Sequence, residues 1–375
     1  MSDLTLPMSS AQQGMYFDSH MRQAADYHIT VELRTSHLDH TRLLQAVKAI
    51  MVEQPALRCA ITTEATGPSY RIAESAETPF SHYDLTNREE ELDSILNSAR
   101  NTPFDLETPP LFRIINCHLP DSDHLLIVCH HLIADGLSVS ALTGRLLHLA
   151  TGTDDILPTQ TDNSLQIYQE NQIIKPPAEE TSRSQKFWEE NLSRHEDPQL
   201  GHWLLQAGHD DIGRETRITV PLETAEAIRL TAREAEVSEF TIYLATFGTL
   251  LSHYAGEEQV SFASPFTDRP LLDMDESIGC FIRALPVMVD ANRQQSVRML
   301  LKRTRAEVLS IWKNLSFPVT TMLADHSITG LLDITFIHDS YPSFPEGVHV
   351  VKHPDQAHFP GRLTVTLEQV GETTE

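Results

Sequence analysis

The chain has 375 residues, of which 40% are hydrophobic and 22% charged, and its formal net charge is −25. This length suggests two or three domain-sized units that can bury a sizeable core. The acidic excess argues against nucleic acid, which favours a basic protein face, and against anionic membrane surfaces. No signal-peptide pattern and no apolar run long enough to span a bilayer is visible. We therefore expect a cytoplasmic protein with no nucleic-acid or membrane partner.

The cysteines are widely spaced, with no Cys-x-x-Cys pair: Cys59, Cys117, Cys129 and Cys280. In a reducing compartment such residues are most simply buried small hydrophobes. Neither a disulfide framework nor a zinc site is predicted.

The first 150 residues alternate between helical and strand patterns. Residues 38–53 carry apolar side chains at the spacing of an amphipathic helix, which Pro55 ends. Two apolar runs joined by a Pro-Asp-Ser-Asp turn predict a β-hairpin over residues 111–130. Its second strand is apolar throughout, which is typical of a strand covered on both faces. Further helices are predicted over 9–24, 89–98 and 138–150, and further strands over 27–33, 57–62 and 70–73.

Residues 151–215 are polar and predict a linker with a crossing helix, and a second mixed pattern follows. This second region has predicted strands at 216–221, 259–264, 282–289, 332–337 and 362–369 and helices at 223–236, 240–254 and 296–315. Helices and strands in both halves favour an α/β fold of two lobes. We predict an N-terminal lobe over 1–165, a linker and crossing helix over 166–215, and a C-terminal lobe over 216–375.

The chemically richest segment is residues 130–136, with two histidines, an aspartate and a glycine between a buried strand and a helix. A histidine at a strand end can present a ring nitrogen to a cavity and titrates near neutral pH. Asp135 could fix the loop through a hydrogen bond or an ion pair. Gly136 would let the chain turn sharply and let a substrate approach the backbone closely.

The residues of this segment are open to three other interpretations. Joint metal ligation by His130 and His131 is disfavoured, because adjacent residues on a strand point to opposite faces. A serine hydrolase is disfavoured, because the Gly-Leu-Ser-Val-Ser run at 136–140 lacks the second glycine of Gly-x-Ser-x-Gly. The third interpretation, a buried histidine pair whose hydrogen bonds are satisfied and which has no chemical role, stays open. No metal site is predicted elsewhere either, since His195, His202, His209, His349, His353 and His358 lie in stretches interrupted by Pro or Gly and are expected to be solvated.

Several segments along nearly the whole chain match the patterns of one family. Besides His-His-x-x-x-Asp-Gly at 130–136, they are Ser10–Phe17, Leu38–Val47, Gln54–Arg58, Thr102–Arg113, Ser164–Gln172, Ser264–Arg269, Ile278–Pro286 and Asn314–Pro318. In this combination the sequence resembles the condensation domains of nonribosomal peptide synthetases, in the chloramphenicol-acetyltransferase-like superfamily.

The resemblance implies a role for each motif residue. His131 would contact the acceptor amine as a general base or positioning group. Asp135 would be structural, paired with Arg269 across the two lobes. His130 would shape the loop, and Gly136 would keep a substrate tunnel open beside the reacting thioester.

The resemblance also implies two chloramphenicol-acetyltransferase-like lobes in a V-shape with a tunnel at their interface. Ser138 and Arg283 are candidates for lining it. The activity implied is amide-bond formation between a carrier-bound acyl thioester and an amine in natural-product biosynthesis. The partners would be donor and acceptor carrier proteins, whose phosphopantetheine arms carry the substrates, and a small-molecule amine. No cofactor is expected to be bound intrinsically.

The sequence departs from the family in two places. Arg283 stands where the family usually has Asn; it would remodel the tunnel, contact an acidic group on a substrate, or be a tolerated surface or interlobe arginine. The chain ends soon after residues 362–369, so the second lobe is expected to lack its last strand and helix. The Glu-Gly-His-Gly-Arg-Glu motif of epimerisation domains and the Asp-Phe-Gly-Trp-Gly motif of plant acyltransferases are absent. Ester formation by a standalone acyltransferase and a noncatalytic carrier-docking module remain alternatives.

Overall fold

The computed structural model describes residues 3–21, 27–64, 67–153, 155–158, 160–173, 178–194, 216–267, 269–315, 317, 334–341, 347–355, 363–370 and 373–374. The chain divides into two compact units, and each is built from three separate segments. The first unit contains Met1–Ile174, Arg269–Phe281 and Ser343–His358; the second contains Lys175–Asp268, Ile282–Pro342 and Phe359–Glu375. The sequence-based division into contiguous lobes differs from this, because it placed residues 269–281 and 343–358 in the C-terminal lobe.

The first unit contains a five-stranded and a three-stranded sheet. Its strands are β1 (Leu4–Pro7), β2 (His28–Thr35), β3 (Cys59–Glu64), β4 (Gly67–Ile72), β5 (Phe80–Asp84), β6 (Phe112–His118), β7 (Asp123–His130) and β11 (His349–Asp355). Its helices are α1 (Ser10–Met21), α2 (His40–Glu53), α3 (Leu92–Asn101), α4 (Gly136–Thr151), α5 (Ser164–Ile173) and the single turn α9 (Arg269–Leu272). The large sheet has the order β11-β2-β7-β6-β5, and the small one β1-β4-β3.

Strand β7 lies at the centre of the large sheet, as its uninterrupted apolar run predicts. It pairs antiparallel with β2 and with β6, so that His28 lies opposite His130 at one end and Thr35 opposite Asp123 at the other. Residues 125–129 are fully buried. Strand β7 is hydrogen-bonded to a strand on each side, and both of its faces are covered. Its two ends are therefore fixed positions for the side chains they carry.

Helices α2 and α4 cover this sheet and begin at aspartate caps. The carboxylate of Asp39 accepts hydrogen bonds from the backbone N–H groups of Thr41 and Arg42, and Asp135 caps α4 in the same way through Ser138. A side-chain cap of this kind typically stabilises a helix by about 1 kcal/mol. The two starts are therefore locally encoded.

The second unit has one five-stranded sheet of order β13-β12-β10-β8-β9. Its strands are β8 (Gln259–Thr267), β9 (Ile282–Asp290), β10 (Ile334–Tyr341), β12 (Leu363–Val370) and β13 (Thr373–Thr374), and its helices are α6 (Ala178–Leu192), α7 (Leu222–Ala235), α8 (Glu239–Ala255) and α10 (Val297–Trp312). Gly248 of α8 lies so close to β9 that an added Cβ would come within 2.4 Å of Val289. Glycine is therefore required there by packing.

Three sequence-based expectations can be compared directly with these elements. The strand predicted over 216–221 is wrong, since these residues are in none of the sheets that the structure describes. All four cysteines are buried and none forms a disulfide, which confirms their interpretation as small hydrophobes. Among the described helices, none has the length and apolar character needed to cross a bilayer.

Candidate functional site

The His130–Gly136 segment links the end of β7 to the start of α4. His130 is the last residue of the strand, and Gly136 is the first of the helix. The backbone N–H of His131 donates to the carbonyl of Tyr27 at 2.8 Å, which continues the β2–β7 ladder by one residue. The hydroxyl of Tyr70 donates to the carbonyl of Leu132 at 2.6 Å. The loop is thus held by Tyr27, which directly precedes β2, and by Tyr70 of β4.

Asp135 is the centre of a buried polar network. Its Oδ1 accepts from the backbone N–H of Ser138 at 2.8 Å and from Nη2 of Arg269 at 2.8 Å. Its Oδ2 accepts from Nε of Arg269 at 3.3 Å and from the backbone N–H of Phe281 at 3.1 Å. Both oxygens of the carboxylate are therefore committed to protein donors, which assigns Asp135 to architecture.

Arg269 makes the ion pair with Asp135 that the resemblance implies, but the pair lies within the first unit and does not join two lobes. The reason is that Arg269–Phe281, between β8 and β9, belongs to the first unit. The Nη1 atom of Arg269 also donates to the carbonyls of Met274 and Ser277, at 2.8 and 2.7 Å. This arginine therefore folds its own segment and attaches it to Asp135.

Ser138 lies inside the same network and is fully buried. Its Oγ lies 2.8 Å from Asp135 Oδ1 and 2.7 Å from the carbonyl oxygen of Gly279. The same Oγ accepts from the backbone N–H of Gly279 at 3.0 Å and from Arg269 Nη2 at 2.6 Å. Because these contacts use the whole capacity of a hydroxyl, Ser138 acts as a support in the structure, and a tunnel-lining role for it remains only a prediction.

His131 is 2% exposed and follows directly after the strand. Burial lowers its pKa, and the backbone carbonyls of His131 itself and Ala134, together with the Asp135 charge, oppose that shift only in part. A carbonyl can only accept, so the single proton of the neutral ring faces these acceptors and the other ring nitrogen carries the lone pair. Burial thus shifts His131 toward the neutral form.

His130 has a different environment from His131, although the two are adjacent. Its ring is completely buried among Tyr27, His28 and Phe104. Burial lowers its pKa well below the ordinary value, and the neighbouring His28 and His131 lower it further. Its Nδ1 accepts the backbone N–H of Leu132 at 3.2 Å. His130 is therefore placed to shape the loop, as the resemblance implies.

Gly136 and Arg283 differ from their sequence-based interpretations. Gly136 is buried in the first turn of α4 and is not among the residues with positive φ. The turn therefore does not require glycine's conformational freedom. The reason that remains for glycine at this position is its missing side chain. Arg283 lies in β9 of the second unit, is 7% exposed, and donates from Nη1 to the carbonyl of Leu315. It is not a surface arginine, and a tunnel role for it remains a prediction.

The sequence did not predict Cys280 as a neighbour of His131, nor the two glutamines that support Cys280. The thiol of Cys280 lies 3.9 Å from Nδ1 of His131. The side-chain amide of Gln12 donates to the carbonyl of Cys280 at 2.9 Å, and Gln169 in turn donates to Gln12 Oε1 at 3.0 Å. Gln12 stands in the opening Ser-x-Ala-Gln-like segment, so that segment's match to the family was the available signal.

The other histidines considered for metal binding give no comparable cluster among the described residues. His195, His202, His209 and His358 lie outside the described residues, and of His353 only the backbone is described. His349 is exposed at the start of β11.

Comparisons with known proteins give one consistent family. The sequence model of the family described as "Condensation domain" matches residues 3–355. Surfactin synthase subunit 1 of Bacillus subtilis is 26% identical over 330 residues, which are 86% of this chain and 9% of that protein. Tyrocidine synthase 3 of Brevibacillus parabrevis is 26% identical over 326 residues, 83% of this chain and 5% of that protein. The chain thus spans less than a tenth of the length of these relatives.

Solved structures give the same fold. The first condensation domain of the calcium-dependent antibiotic synthetase superposes with a TM-score of 0.79 at 17% identity, over 99% of this chain and 90% of that one. The epimerization domain from the third module of tyrocidine synthetase B gives 0.77 at 17% identity, over 100% and 90%. The α/β fold predicted from the family's patterns is therefore confirmed.

Proposed function

The chain belongs to the condensation-domain family, found in nonribosomal peptide synthetases, and we propose that it joins a carrier-bound acyl thioester to an amine with His131 as its catalytic residue. The observation that carries this proposal is the placement of His131. It follows directly after β7, its backbone N–H donates to the carbonyl of Tyr27, and its loop ends at Asp135, which is paired with Arg269.

The chemistry requires no covalent enzyme intermediate. The amine nitrogen attacks the thioester carbonyl carbon, a C–N bond forms, and the C–S bond breaks to release the pantetheine thiolate. The proton lost by the amine passes to the lone-pair nitrogen of His131 and can leave with the departing sulfur. A well-placed base contributes about 10²–10⁴-fold to such a rate, and holding both reactants in place contributes roughly 7–11 kcal/mol.

The partners follow from the family. Relatives such as Surfactin synthase subunit 1 are much longer proteins, so the substrates here would arrive on the phosphopantetheine arms of donor and acceptor carrier domains. Gly136 would lie close to the reacting thioester. No intrinsically bound cofactor takes part in this reaction scheme.

A product assay tests the proposal. The purified chain is incubated with an acyl-carrier-protein thioester and an amine, either free or loaded on a second carrier, and the products are analysed by intact mass. We expect transfer of the acyl group to the amine, with release of the free pantetheine thiol. Consumption of donor without an acylated acceptor, across a panel of acyl chains and amines, would contradict amide formation.

A second arm of the assay uses an alcohol acceptor. SgcC5 from Streptomyces globisporus, with a TM-score of 0.71 over 98% of this chain, is recorded in complex with an aromatic ethanediol. A diol acceptor therefore tests the ester-forming alternative. Acylation of the diol but of none of the amines would replace the amide proposal, and binding of the carrier without any transfer would favour a docking module.

A further inference from the structure

The far end of β7 carries a second cluster of polar side chains, unrelated to the His131 loop. Asp123 is the first residue of the strand and His130 the last, so the two lie roughly 23 Å apart at about 3.3 Å per residue. Around Asp123 stand His37, from the loop between β2 and α2, and His118, the last residue of β6. One ligand atom from each of these three residues lies within 4.8 Å of the others.

The distances around Asp123 converge on one oxygen. Oδ1 lies 3.0 Å from Nδ1 of His37 and 2.8 Å from Nδ1 of His118. The imidazole rings of His37 and His118 are 4.4 Å apart between centroids. Two nitrogens and one oxygen at such separations surround a single point, as the ligands of a tetrahedral zinc ion do at bond lengths of about 2.0–2.2 Å.

The other carboxylate oxygen is already held by the protein. Oδ2 of Asp123 accepts from the backbone N–H of Leu38 at 3.1 Å and from the amide of Asn116 at 3.3 Å. The same amide lies 3.2 Å from Nδ1 of His82, and the ring of His82 stacks on His40 at 4.5 Å. With Oδ2 held by these donors, Oδ1 is the carboxylate oxygen that faces the two histidines.

The tautomer of His37 makes this cluster cation-seeking. Its Nε2 lies 3.2 Å from the carbonyl of Pro120, which can only accept, so Nε2 carries a proton. In the neutral ring Nδ1 then holds the lone pair and faces the anionic Oδ1 of Asp123. That arrangement is unfavourable unless a proton or a metal ion lies between them. A ring N–H bonded to a backbone carbonyl is also the usual support of a metal-ligating histidine.

We propose that His37, His118 and Asp123 bind a divalent transition metal ion of the zinc class, through Nδ1, Nδ1 and Oδ1, with water as the fourth ligand. The ligand chemistry fits, because imidazole and carboxylate suit zinc. Access fits as well, since the side chains of His37 and His118 are 47% and 34% exposed while Asp123 is buried. The ion would tie the start of α2 to the β6–β7 hairpin, so its role is structural and separate from amide formation.

The test uses zinc chloride and the whole chain after removal of metal by a chelator. Wild type is compared with the double variant His37→Gln and His118→Gln, whose sites are partly exposed so that the fold is expected to survive. The matched control is His148→Gln with His253→Gln, two exposed histidines outside the cluster. Zinc affinity is measured by competition with a chromophoric chelator, and the coordination by the visible spectrum of bound cobalt.

We expect one zinc ion per wild-type chain, a zinc-dependent rise in Tm, and a tetrahedral cobalt spectrum. The double variant should lose at least about 100-fold in affinity, beyond the 10–100-fold typical of an outer-shell change, while the control keeps wild-type binding. Equal affinity in wild type and double variant, an equal loss in the control pair, or no binding by wild type at micromolar zinc would overturn the proposal. None of these readouts depends on acyl transfer, so the two proposals fail or survive separately.

Discussion

The two ends of β7 place histidines in opposite environments. At the carboxyl end, His130 and His131 are buried, and burial lowers their pKa. At the amino end, the hydrogen bond that His37 makes to the Asp123 carboxylate raises the pKa of this more exposed histidine. Burial among apolar side chains shifts a histidine toward the free base, whereas a neighbouring buried carboxylate shifts it toward the charged form. One strand thus carries a site suited to taking a proton and a site suited to holding a cation.

The largest effect is expected for His131→Ala. Loss of the base should lower the rate of acyl transfer by about 10²–10⁴-fold while leaving the free energy of unfolding within roughly 2 kcal/mol of wild type. Single-turnover kinetics with a saturating donor, together with urea unfolding, measures both quantities. His148→Ala, an exposed histidine on α4, is the matched control. A wild-type rate in His131→Ala would remove His131 from the chemistry.

The next largest effect is expected for the ion pair between Asp135 and Arg269, near the carboxyl end of β7. Breaking the Asp135–Arg269 pair by Asp135→Asn or Arg269→Gln should each cost about 3–5 kcal/mol of stability, because each leaves a buried charge unmatched. The double variant should cost clearly less than the sum of the two. A double-mutant cycle of urea unfolding measures this coupling, and strict additivity would show that the two side chains do not act as a pair.

The smallest effect is the pH dependence of stability, and it has opposite signs at the two ends. The folded pKa of His130 lies below its unfolded value of about 6.5, so below that pH the unfolded state binds a proton that the folded state does not. Stability should then fall with falling pH by up to about 1.4 kcal/mol per unit, and His130→Gln should flatten this slope. Unfolding curves between pH about 7.5 and about 5.5 measure it.

His37 should behave in the reverse way in the absence of metal. Its folded pKa is raised, so its contribution to stability is fully present below about pH 6.5 and is lost as the pH rises through the folded value. His37→Gln should therefore lower stability more at acidic than at alkaline pH. If stability changed with pH by the same slope in His130→Gln and in His37→Gln, the environments of the two histidines would not differ as described.

The elements with strong local patterns were predictable from the sequence. The β6–β7 hairpin and α2 have an apolar run, a turn and a proline stop that each specify local structure. Strand β11 was missed because its pairing with β2 comes from some 315 residues away and contains register shifts. A strand was predicted at 216–221, but a local sequence pattern does not create a partner strand.

The site was predictable to the extent that its residues lie in motifs. His131, Asp135 and Arg269 were found through the family resemblance, whereas the contact of Cys280 with His131 has no local signature. The cluster at Asp123 is similar: Asp123 ended a predicted turn, and its partner His37 lies 86 positions earlier. Only the pairing of β2 with β7 brings them together, and nothing in their spacing predicts that pairing.

The interleaved course of the chain has a consequence for protein engineering. Because the backbone passes from one unit to the other at residues 174–175, 268–269, 281–282, 342–343 and 358–359, no single cut separates the units. A chimaera spliced at any of the first four junctions would exchange parts of both units, and it would separate Arg269 from Asp135 if the splice fell between them. Recombination between members of this family should therefore keep residues 135–281 from one parent, and libraries built with crossovers inside that interval should be depleted of folded clones.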